Sequence, residues 1–192
     1  VGRTYHETLA AGKKPGPVLS ARYALADKLV LSKVRDLFGG NLRQAVTGAA
    51  PISKEILEFF FAAGVPVMEG YGMTESSTAS TVCTPDDFKF GTVGKPFPGA
   101  QIKIAEDGEI LIGGPQVMQG YLNNPEKTDS AIKVIDDSRW YVTGDKGHLD
   151  EDGFLFIVDR YSRFAKIGGE MISLGAVELA TQQVLPEEAE VI

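Results

Sequence analysis

The spacing of apolar residues along this chain changes near residue 85, from a helical period to a strand-like alternation. Over residues 24–38 the apolar positions recur at helical spacing, and two glycines, Gly39 and Gly40, follow. Such spacing places apolar side chains on one face of a helix, and glycine is common at helix ends. The pattern therefore predicts an amphipathic helix over residues 24–38.

Downstream of this helix, the pattern predicts a strand, a helix and a second strand. Residues 42–47 and 65–68 have the composition of short strands, and Ser53 can cap a helix over 54–63 between them. A unit of this kind normally contains two parallel strands joined by a right-handed crossover, and ligands bind at the carboxyl ends of such strands. Those ends are expected in the segments 48–51 and 69–75.

Beyond residue 85, short alternating runs are separated by turn signals, which is typical of hairpins. Asp-Gly pairs at 107–108 and 152–153 each lie between two such runs, and this pair is a strong hairpin signal. A short helix is predicted over 125–132 and a longer one over 176–184. The sequence thus predicts an α/β fold in which a parallel-sheet portion is followed by a β-rich subdomain.

Composition and charge narrow the function classes. The 192 residues carry a net charge of −7, with a pI near 4.9, and 43% of them are hydrophobic. This acidic balance argues against a nucleic-acid partner, which requires a basic surface, and no apolar run approaches the roughly 18 residues of a membrane span. The one cysteine, Cys83, excludes an internal disulfide, and the two histidines lack metal-site spacing. A globular, cytoplasmic protein is expected.

One segment, residues 70–77, combines the groups that a nucleoside triphosphate requires. Its glycines allow the backbone to approach a ligand, and Tyr71 could stack on a base. Thr74 could bind a phosphate, and Glu75 could hold Mg²⁺, which prefers carboxylate and phosphate oxygens. The same residues also fit a polar turn in which Thr74 or Ser76 caps the next segment. Composition alone leaves both interpretations open.

Two further segments place polar or charged groups beside glycine turns. Asp145 ends a Thr-Gly-Asp run after a predicted strand, where it could bind ribose hydroxyls or close an Asx-type turn. Residues 160–169 contain basic side chains and a double glycine, which could hold a phosphate or a pantetheine arm or form a solvated linker. Each of these signals is weak when it is considered alone.

In this order, the segments resemble the motifs of the acyl-adenylate-forming superfamily, which comprises acyl-CoA synthetases, adenylation domains and luciferases. The resemblance covers most of the chain and implies a partial acyl-adenylate-forming fold. The motifs are the 48–51 loop, the 70–75 signature, residues 108–121 (Gly-Glu-Ile-Leu-Ile-Gly-Gly-Pro-Gln-Val-Met-Gln-Gly-Tyr), Thr-Gly-Asp at 143–145, and residues 159–169.

The resemblance implies where ATP binds. Ala50 and Pro51 would lie against one face of the adenine and Tyr71 against the other. Asp145, joined by Arg160, would bind the ribose hydroxyls. The implied cofactor-binding residues are Gly48, Ala49, Ala50, Pro51, Gly70, Tyr71, Gly72, Thr74, Asp145, Arg160, Gly168 and Gly169.

The resemblance also implies the catalytic residues. Thr74 would touch the α-phosphate and Glu75 would hold Mg²⁺. Lys166 matches a position that is used when a small carboxyl-terminal domain rotates for the second half-reaction, and Gly168 and Gly169 would border the pantetheine tunnel.

Three parts of the chain match different parts of the family's architecture. Residues 1–98 resemble the later part of a large amino-terminal α/β adenylation domain, and residues 99–160 resemble its β-rich subdomain. Residues 161–192 resemble the hinge and the beginning of a small α+β carboxyl-terminal domain, although Ser162 stands where the family often has Asp or Lys. The family's phosphate-binding loop and adenylation lysine are not found in this chain, so we expect a piece of a larger protein that is inactive alone.

The implied activity is the ATP-dependent activation of a carboxylic acid as an acyl-adenylate, followed by transfer to a pantetheine thiol. Residues 59–61 and 91–98 resemble long-chain fatty-acid CoA ligases, whereas residues 163–174 resemble acyl carrier protein synthetases. We therefore expect a fatty acid, ATP, Mg²⁺ and CoA, with the phosphopantetheine of acyl carrier protein as an alternative acceptor. A non-catalytic nucleotide-binding module is the alternative function. Peripheral membrane contact would suit a fatty-acid enzyme, and the oligomeric state leaves no mark on the sequence.

Overall fold

The chain folds into two compact units. A computed structural model describes residues 1–167 and 170–182. The first unit comprises Val1–Phe97 and the second Pro98–Ile192. Both contain helices and sheets, so the predicted α/β class is confirmed.

Helices make up much of the first unit. The helix predicted over 24–38 begins earlier, at Pro17, because proline is favoured in the first helical turn. It continues through a π-helical turn, Asp27–Leu31, in which Asp27 forms an ion pair of 2.7 Å with Arg35. Arg35 also donates to the carbonyl of Ala63, at 2.8 Å. The α-helices of this unit are α1 (Gly2–Ala10), α2 (Pro17–Ala26), α3 (Ser32–Leu37) and α4 (Lys54–Ala62).

Four short strands form the sheet of the first unit. The strands are β1 (Ala45–Thr47), β2 (Val67–Tyr71), β3 (Thr81–Val82) and β4 (Lys95–Pro96), in the order β1-β2-β3-β4. Strands β1 and β2 are parallel, as the strand, helix, strand pattern predicts, and the other pairs are antiparallel. The second strand ends later than predicted, so Gly70 and Tyr71 belong to the strand rather than to the loop that follows it.

The core of the first unit lies where α4 covers the sheet. Leu57 and Phe61 of α4 are buried with Met68 of β2 and Cys83, whose thiol is free. The Phe61 ring contacts the rings of Phe88 and Phe90, with centroids 5.1 and 5.5 Å away. Burial of this apolar face, at roughly 25 cal/mol per Å², holds α4 over the strands that carry the candidate site.

The second unit is built on a five-stranded antiparallel sheet. Its strands are β5 (Gln101–Ile104), β6 (Glu109–Gly113), β7 (Ile132–Ile135), β8 (Ser138–Leu149) and β9 (Leu155–Arg160), with the order β5-β6-β8-β7 and β9 paired to β8. Helix α5 (Pro125–Ala131) precedes β7. A two-stranded sheet of β10 (Phe164–Ile167) and β11 (Glu170–Ser173) and helix α6 (Leu174–Gln182) follow.

The hairpins of this sheet test the turn predictions directly. Both Asp-Gly hairpins are confirmed, and Gly108 and Gly153 have φ angles of 87° and 82°. A third hairpin joins β7 to β8 through Asp136 and Asp137, which have φ angles of 49° and 59°. The sequence did not predict this turn because aspartate in the left-handed region replaces the usual glycine.

Among the residues described by the structure, no helix is both long and apolar enough to span a bilayer.

Two glycines with nearly the same backbone angle provide a matched test of packing in the first unit. Gly94 and Gly91 have φ angles of 85° and 84°. A Cβ on Gly94 would lie 1.9 Å from the carbonyl carbon of Val82, whereas a Cβ on Gly91 would meet no atom within 4 Å. We expect Gly94→Ala to lower the free energy of unfolding by on the order of 3 kcal/mol or more, and Gly91→Ala by about 1 kcal/mol. Urea unfolding monitored by circular dichroism would measure both, and equal losses would contradict the packing argument.

Candidate functional site

In the first unit, the two segments predicted to bind a nucleotide lie side by side. Thr47, the last residue of β1, is in register with Glu69 of β2, so the chain leaves both strands at the same edge. A Cβ on Gly48 would lie 3.0 Å from the carbonyl oxygen of Gly70. The 48–51 loop and the 70–75 segment are therefore brought together, as expected for the carboxyl ends of parallel strands.

The segment after β2 folds back tightly on itself. A Cβ on Gly72 would lie 2.4 Å from the carbonyl oxygen of Thr78, so only glycine fits there. The amide of Ser80 donates to the carbonyl of Tyr71 at 2.8 Å. Ser77 and Thr78 have φ angles of 55° and 91°, which is uncommon for residues with a Cβ. The backbone is thus held in one shape before any ligand arrives.

Ser76 is the residue that holds this shape. It is fully buried, and its Oγ accepts from the amide of Met73 at 3.2 Å while lying 3.2 Å from the Met73 carbonyl. It closes a 3₁₀ turn that spans Thr74–Ser76. The Ser76 hydroxyl therefore closes this turn onto Met73, which lies before it, whereas the sequence suggested a cap for the segment that follows. Thr74, two residues earlier, is exposed.

The same turn contains Glu75, the residue predicted to hold Mg²⁺. No group of three or more His, Cys, Asp or Glu side chains within the described residues could hold a metal ion by itself. Mg²⁺ in nucleotide sites commonly takes one or two carboxylates and completes its coordination with phosphate oxygens and water. Half-buried Glu75, next to exposed Thr74, fits a site of this kind.

One acidic group in the first unit escaped the sequence analysis. Glu69 lies on β2 immediately before the signature, and burial raises the pKa of its carboxyl group to about 7. The sequence of β2 does not reveal this burial, because residues distant in sequence, such as Leu57, Phe88 and Phe90, line the cavity that Glu69 borders. Glu69 is therefore a further titratable group beside the candidate nucleotide segment.

In the second unit, the predicted ribose-binding pair is formed. Asp145 of β8 is in register with Arg160 of β9, and Nε of Arg160 lies 3.3 Å from Oδ1 of Asp145. The side chain of Asp145 is 8% exposed, whereas that of Arg160 is 72% exposed. The carboxylate is thus fixed in the sheet, while the guanidinium extends into solvent.

Two neighbouring side chains set the backbone at Asp145. Oγ1 of Thr143 accepts from the Asp145 amide at 3.0 Å and donates to the carbonyl of Ile110 at 2.8 Å. Gly144 has a φ of 74°, and its amide donates to Oε1 of Glu109 at 3.0 Å. Burial raises the pKa of Glu109 above its ordinary value, although the Gly144 amide opposes this. The sequence placed Glu109 in the 108–121 motif, but it did not predict the contact with Gly144, which lies far away along the chain.

The segment after Arg160 is tied to the sheet at two aspartates. The hydroxyl of Tyr161 donates a short hydrogen bond to Asp107, and Nζ of Lys146 lies 4.6 Å from the centre of the Tyr161 ring. Asp159 accepts from the hydroxyl of Ser173 at 2.5 Å and from the amide of Gly175 at 2.9 Å. These contacts fix the start of β10, β11 and α6, and the sequence analysis did not identify them.

The remaining predicted residues of this segment have different outcomes. Ser162 lies exposed in a 3₁₀ turn, Tyr161–Arg163. Lys166 is exposed on β10, in register with Met171. Gly168 and Gly169 lie outside the described residues. The roles assigned to these positions remain predictions.

A cavity of about 310 Å³ lies elsewhere in the second unit. It is lined by residues of the 114–119 loop, Gln101, Ser138 and Arg139, and contains none of the predicted site residues. Nη2 of Arg139 donates to the carbonyls of Met118 and Gln119, at 3.2 and 2.9 Å. This guanidinium therefore braces the loop that lines the cavity.

Comparison with known proteins gives these arrangements a family context. The family model described as "AMP-binding enzyme" matches residues 7–122. The matched region contains the 48–51 loop, the 70–75 segment and strands β1 to β6.

Curated relatives share the sequence more closely. A provisionally named fatty-acid–CoA ligase, fadD11, of Mycobacterium tuberculosis is 51% identical over 153 residues, which cover 79% of this chain and 26% of the relative. The long-chain-fatty-acid–CoA ligase FadD15 of Mycobacterium bovis is 41% identical over 165 residues, covering 85% of this chain and 27% of the relative. The chain thus spans about a quarter of the length of these relatives.

Solved structures show the same similarity in three dimensions. O-succinylbenzoate CoA synthetase (MenE) of Bacillus subtilis, in complex with ATP and magnesium ion, matches with a TM-score of 0.65 and 34% identity, over 72% of this chain and 31% of that one. The same enzyme with its acyl-adenylate intermediate matches with a TM-score of 0.67 and 32% identity, over 80% and 34% of the two chains.

The role of Thr143 as a brace for Asp145 can be tested by hydrogen exchange. Thr143→Val removes the hydroxyl at nearly constant volume and leaves the amide of Asp145 without its acceptor, at a cost of about 1 to 3 kcal/mol. We expect the Asp145 amide to exchange about tenfold faster or more in this variant, measured by NMR. Thr143→Ser keeps the oxygen and should exchange nearly as the wild type does. Equal exchange in the valine and serine variants would contradict the brace.

Proposed function

We propose a function from the premise that this chain belongs to the AMP-binding enzyme family, within the acyl-adenylate-forming superfamily. The protein to which the chain belongs is an ATP-dependent acid–CoA ligase. The observation that carries this proposal is the juxtaposition of the 48–51 loop and the 70–75 segment at one sheet edge, inside the region matched by the family model. The relatives named as CoA ligases support the same class.

In the first half-reaction, the carboxylate of the substrate attacks the α-phosphorus of ATP, and pyrophosphate leaves. Tyr71 and the 48–51 loop hold the adenine, and the exposed Thr74 hydroxyl donates to an α-phosphate oxygen. Asp145 accepts hydrogen bonds from the ribose hydroxyls. Glu75 would hold a Mg²⁺ ion together with phosphate oxygens, and such an ion neutralises phosphate charge. These groups act by positioning and by charge stabilisation, which are large contributions in phosphoryl chemistry.

In the second half-reaction, a pantetheine thiol attacks the acyl carbon of the adenylate. The thiol proton is released to solvent and the carbon–sulfur bond forms. The bond between the acyl carbon and the phosphate oxygen breaks, and AMP leaves with the electron pair. We assign Lys166 to this step, and Gly168 and Gly169 to the approach of the pantetheine arm. The exposure of Lys166 on β10 is compatible with such a role.

The acid substrate is proposed to be a long-chain fatty acid. The two Mycobacterium relatives are named as fatty-acid–CoA ligases, and one is specified as long-chain. MenE is also similar and is named for a different acid, o-succinylbenzoate. Among the curated relatives, the two fatty-acid ligases are 51% and 41% identical to this chain, and a 2-succinylbenzoate–CoA ligase of Listeria monocytogenes is 39% identical. The higher identity to fadD11 supports a fatty acid as the favoured class.

CoA is proposed as the acceptor. Both Mycobacterium relatives are named as CoA ligases, and MenE is named as a coenzyme A synthetase. Residues 163–174 resemble acyl carrier protein synthetases, so acyl carrier protein is the alternative acceptor to compare with CoA in the assay.

An ATP–pyrophosphate exchange assay tests the proposal on the longest natural reading frame that contains this chain. We expect exchange that requires a long-chain acid such as palmitate and is weak with 2-succinylbenzoate. Asp145→Ala removes the ribose contacts and should lower the exchange rate by about a hundredfold, equivalent to about 2.7 kcal/mol. Asp129→Ala, a matched change at an exposed position of α5, should leave the rate unaltered.

The acceptor is tested by measuring thioester formation with CoA and with acyl carrier protein as competing substrates. Faster thioester formation with CoA would support the proposal. Faster formation with acyl carrier protein would indicate that this protein, and not CoA, is the acceptor. If no carboxylic acid supports exchange, although the protein is folded and still binds ATP, the result would instead support a non-catalytic nucleotide-binding module.

A further inference from the structure

The carboxyl group of Glu69 has an unusual position in the first unit. Side chains alternate between the two faces of a strand, so Glu69 and Tyr71 of β2 lie on the same face. Glu69 is fixed on both sides, by its register with Thr47 of β1 and by the amide of Cys83, which donates to its carbonyl at 2.8 Å. The backbone at Glu69 is thus held two residues before Tyr71, whose ring is assigned to the adenine.

The surroundings of Glu69 are mostly apolar. It borders a cavity of about 10 Å³, which has room for one water molecule at most. Leu57, Phe88 and Phe90 line this cavity, and Cys83 and Lys89 are its other titratable groups. Burial is the cause that raises the pKa of Glu69 to about 7.

Charged side chains nearby are engaged elsewhere. On α4, which contributes Leu57 to the cavity, Glu58 pairs with Arg3 at 2.8 Å and with Lys54 at 3.8 Å. Within residues 1–167 and 170–182, no side chain forms an ion pair or a hydrogen bond with the Glu69 carboxyl group. Lys89 also borders the cavity, but burial is the cause of the raised pKa of Glu69 and no cation of the described residues opposes it. A carboxylate formed here would therefore lie mostly among apolar side chains, without a paired cation.

We propose that Glu69 is a proton-linked positioning residue of the nucleotide site, at which the neutral carboxylic acid favours nucleotide binding and ionisation weakens it. This inference rests on the proposed function, because it requires that the 70–75 segment binds a nucleotide. It adds a dependence of the nucleotide affinity on pH, which family membership alone does not imply.

The physical argument is one of charge repulsion at short range. A strand advances by about 3.3 Å per residue, so the Cα atom of Glu69 lies roughly 7 Å from that of Tyr71, whose segment continues directly to Thr74. The Debye length is about 8 Å at physiological ionic strength, and a partly buried charge is screened less than an exposed one. A negative charge on Glu69 would repel the phosphate of a nucleotide bound beside Thr74. Conversely, the bound phosphate would raise the proton affinity of Glu69, so binding takes up protons.

The sign of the pH dependence follows from this linkage. Below about pH 7 the carboxyl group is neutral and the affinity for nucleotide has its highest value. As the pH rises through about 7, the free protein loses the proton and the affinity falls. We expect the Kd to be about three- to tenfold higher at pH 8 than at pH 6, where tenfold corresponds to about 1.4 kcal/mol.

Isothermal titration calorimetry on the longest natural reading frame would test the proposal with a probe that does not titrate in this range. The methyl ester of AMP is suitable, since its phosphodiester keeps one negative charge. Titration in two buffers with different ionisation enthalpies gives the number of protons taken up. For the wild type we expect uptake of a fraction of a proton near pH 7.5 and a weaker affinity at pH 8.

Two variants separate the contribution of Glu69 from that of the rest of the protein. Glu69→Gln stays neutral and should bind the probe equally at pH 6 and pH 8, without proton uptake. Glu55→Gln, the same change at an exposed position of α4, should keep the wild-type pH dependence.

Each other outcome would overturn the inference. Proton uptake that persists in Glu69→Gln would assign it to another group. Weaker binding by Glu69→Gln at both pH values would indicate that the carboxylate contacts the ligand directly. If the probe binds at neither pH while the protein is folded, the proposed nucleotide site itself fails, and this inference fails with it.

Discussion

The parallel pairing of β1 with β2 is the constraint on which the first unit's candidate site depends. Parallel neighbours end at the same edge, and the register of Thr47 with Glu69 places the two following segments within contact of each other. The backbones approach so closely at Gly48 and Gly70 that a Cβ at residue 48 would lie 3.0 Å from an oxygen. Helix α4 must therefore have the length that returns the chain in this register. The chemistry assigned to the site follows from that geometry and from the side chains placed on it.

The second unit positions its charged pair by different means. Asp145 is buried in an antiparallel sheet, where an isolated carboxylate would be unfavourable without hydrogen bonds. Thr143 holds its backbone, and the register of β8 with β9 places Arg160 opposite. Because the Arg160 guanidinium is 72% exposed, its ion pair with Asp145 contributes little to stability. The guanidinium can therefore move toward a ligand at a small cost in free energy. One partner is thus rigid and the other adaptable, which suits a site that must accept and release a nucleotide.

The sequence predicted those features that depend on neighbours along the chain. The Asp-Gly hairpins, the Ser53 cap of α4, which accepts from the Ile56 amide at 3.3 Å, and the parallel strand pair are all confirmed. Features that depend on distant contacts were missed. Glu109 supports Gly144 from another strand, and the cavity beside Glu69 is lined by side chains distant in sequence, including Leu57 and Phe88. The end of β2 was also misplaced, because the pairing of Gly70 with Val82 of β3 extends the strand and glycine gives no strand signal of its own.

Two hairpin turns of the second unit differ in how freely their length can vary among homologous proteins. The turn at Asp136 and Asp137 is exposed, and Asp136 forms a long ion pair of 3.8 Å with Lys103. The turn at residue 107 is different, because Asp107 receives the hydroxyl of Tyr161. Insertions and deletions should therefore accumulate at 136–137 during evolution, whereas the 107–108 turn should keep a constant length.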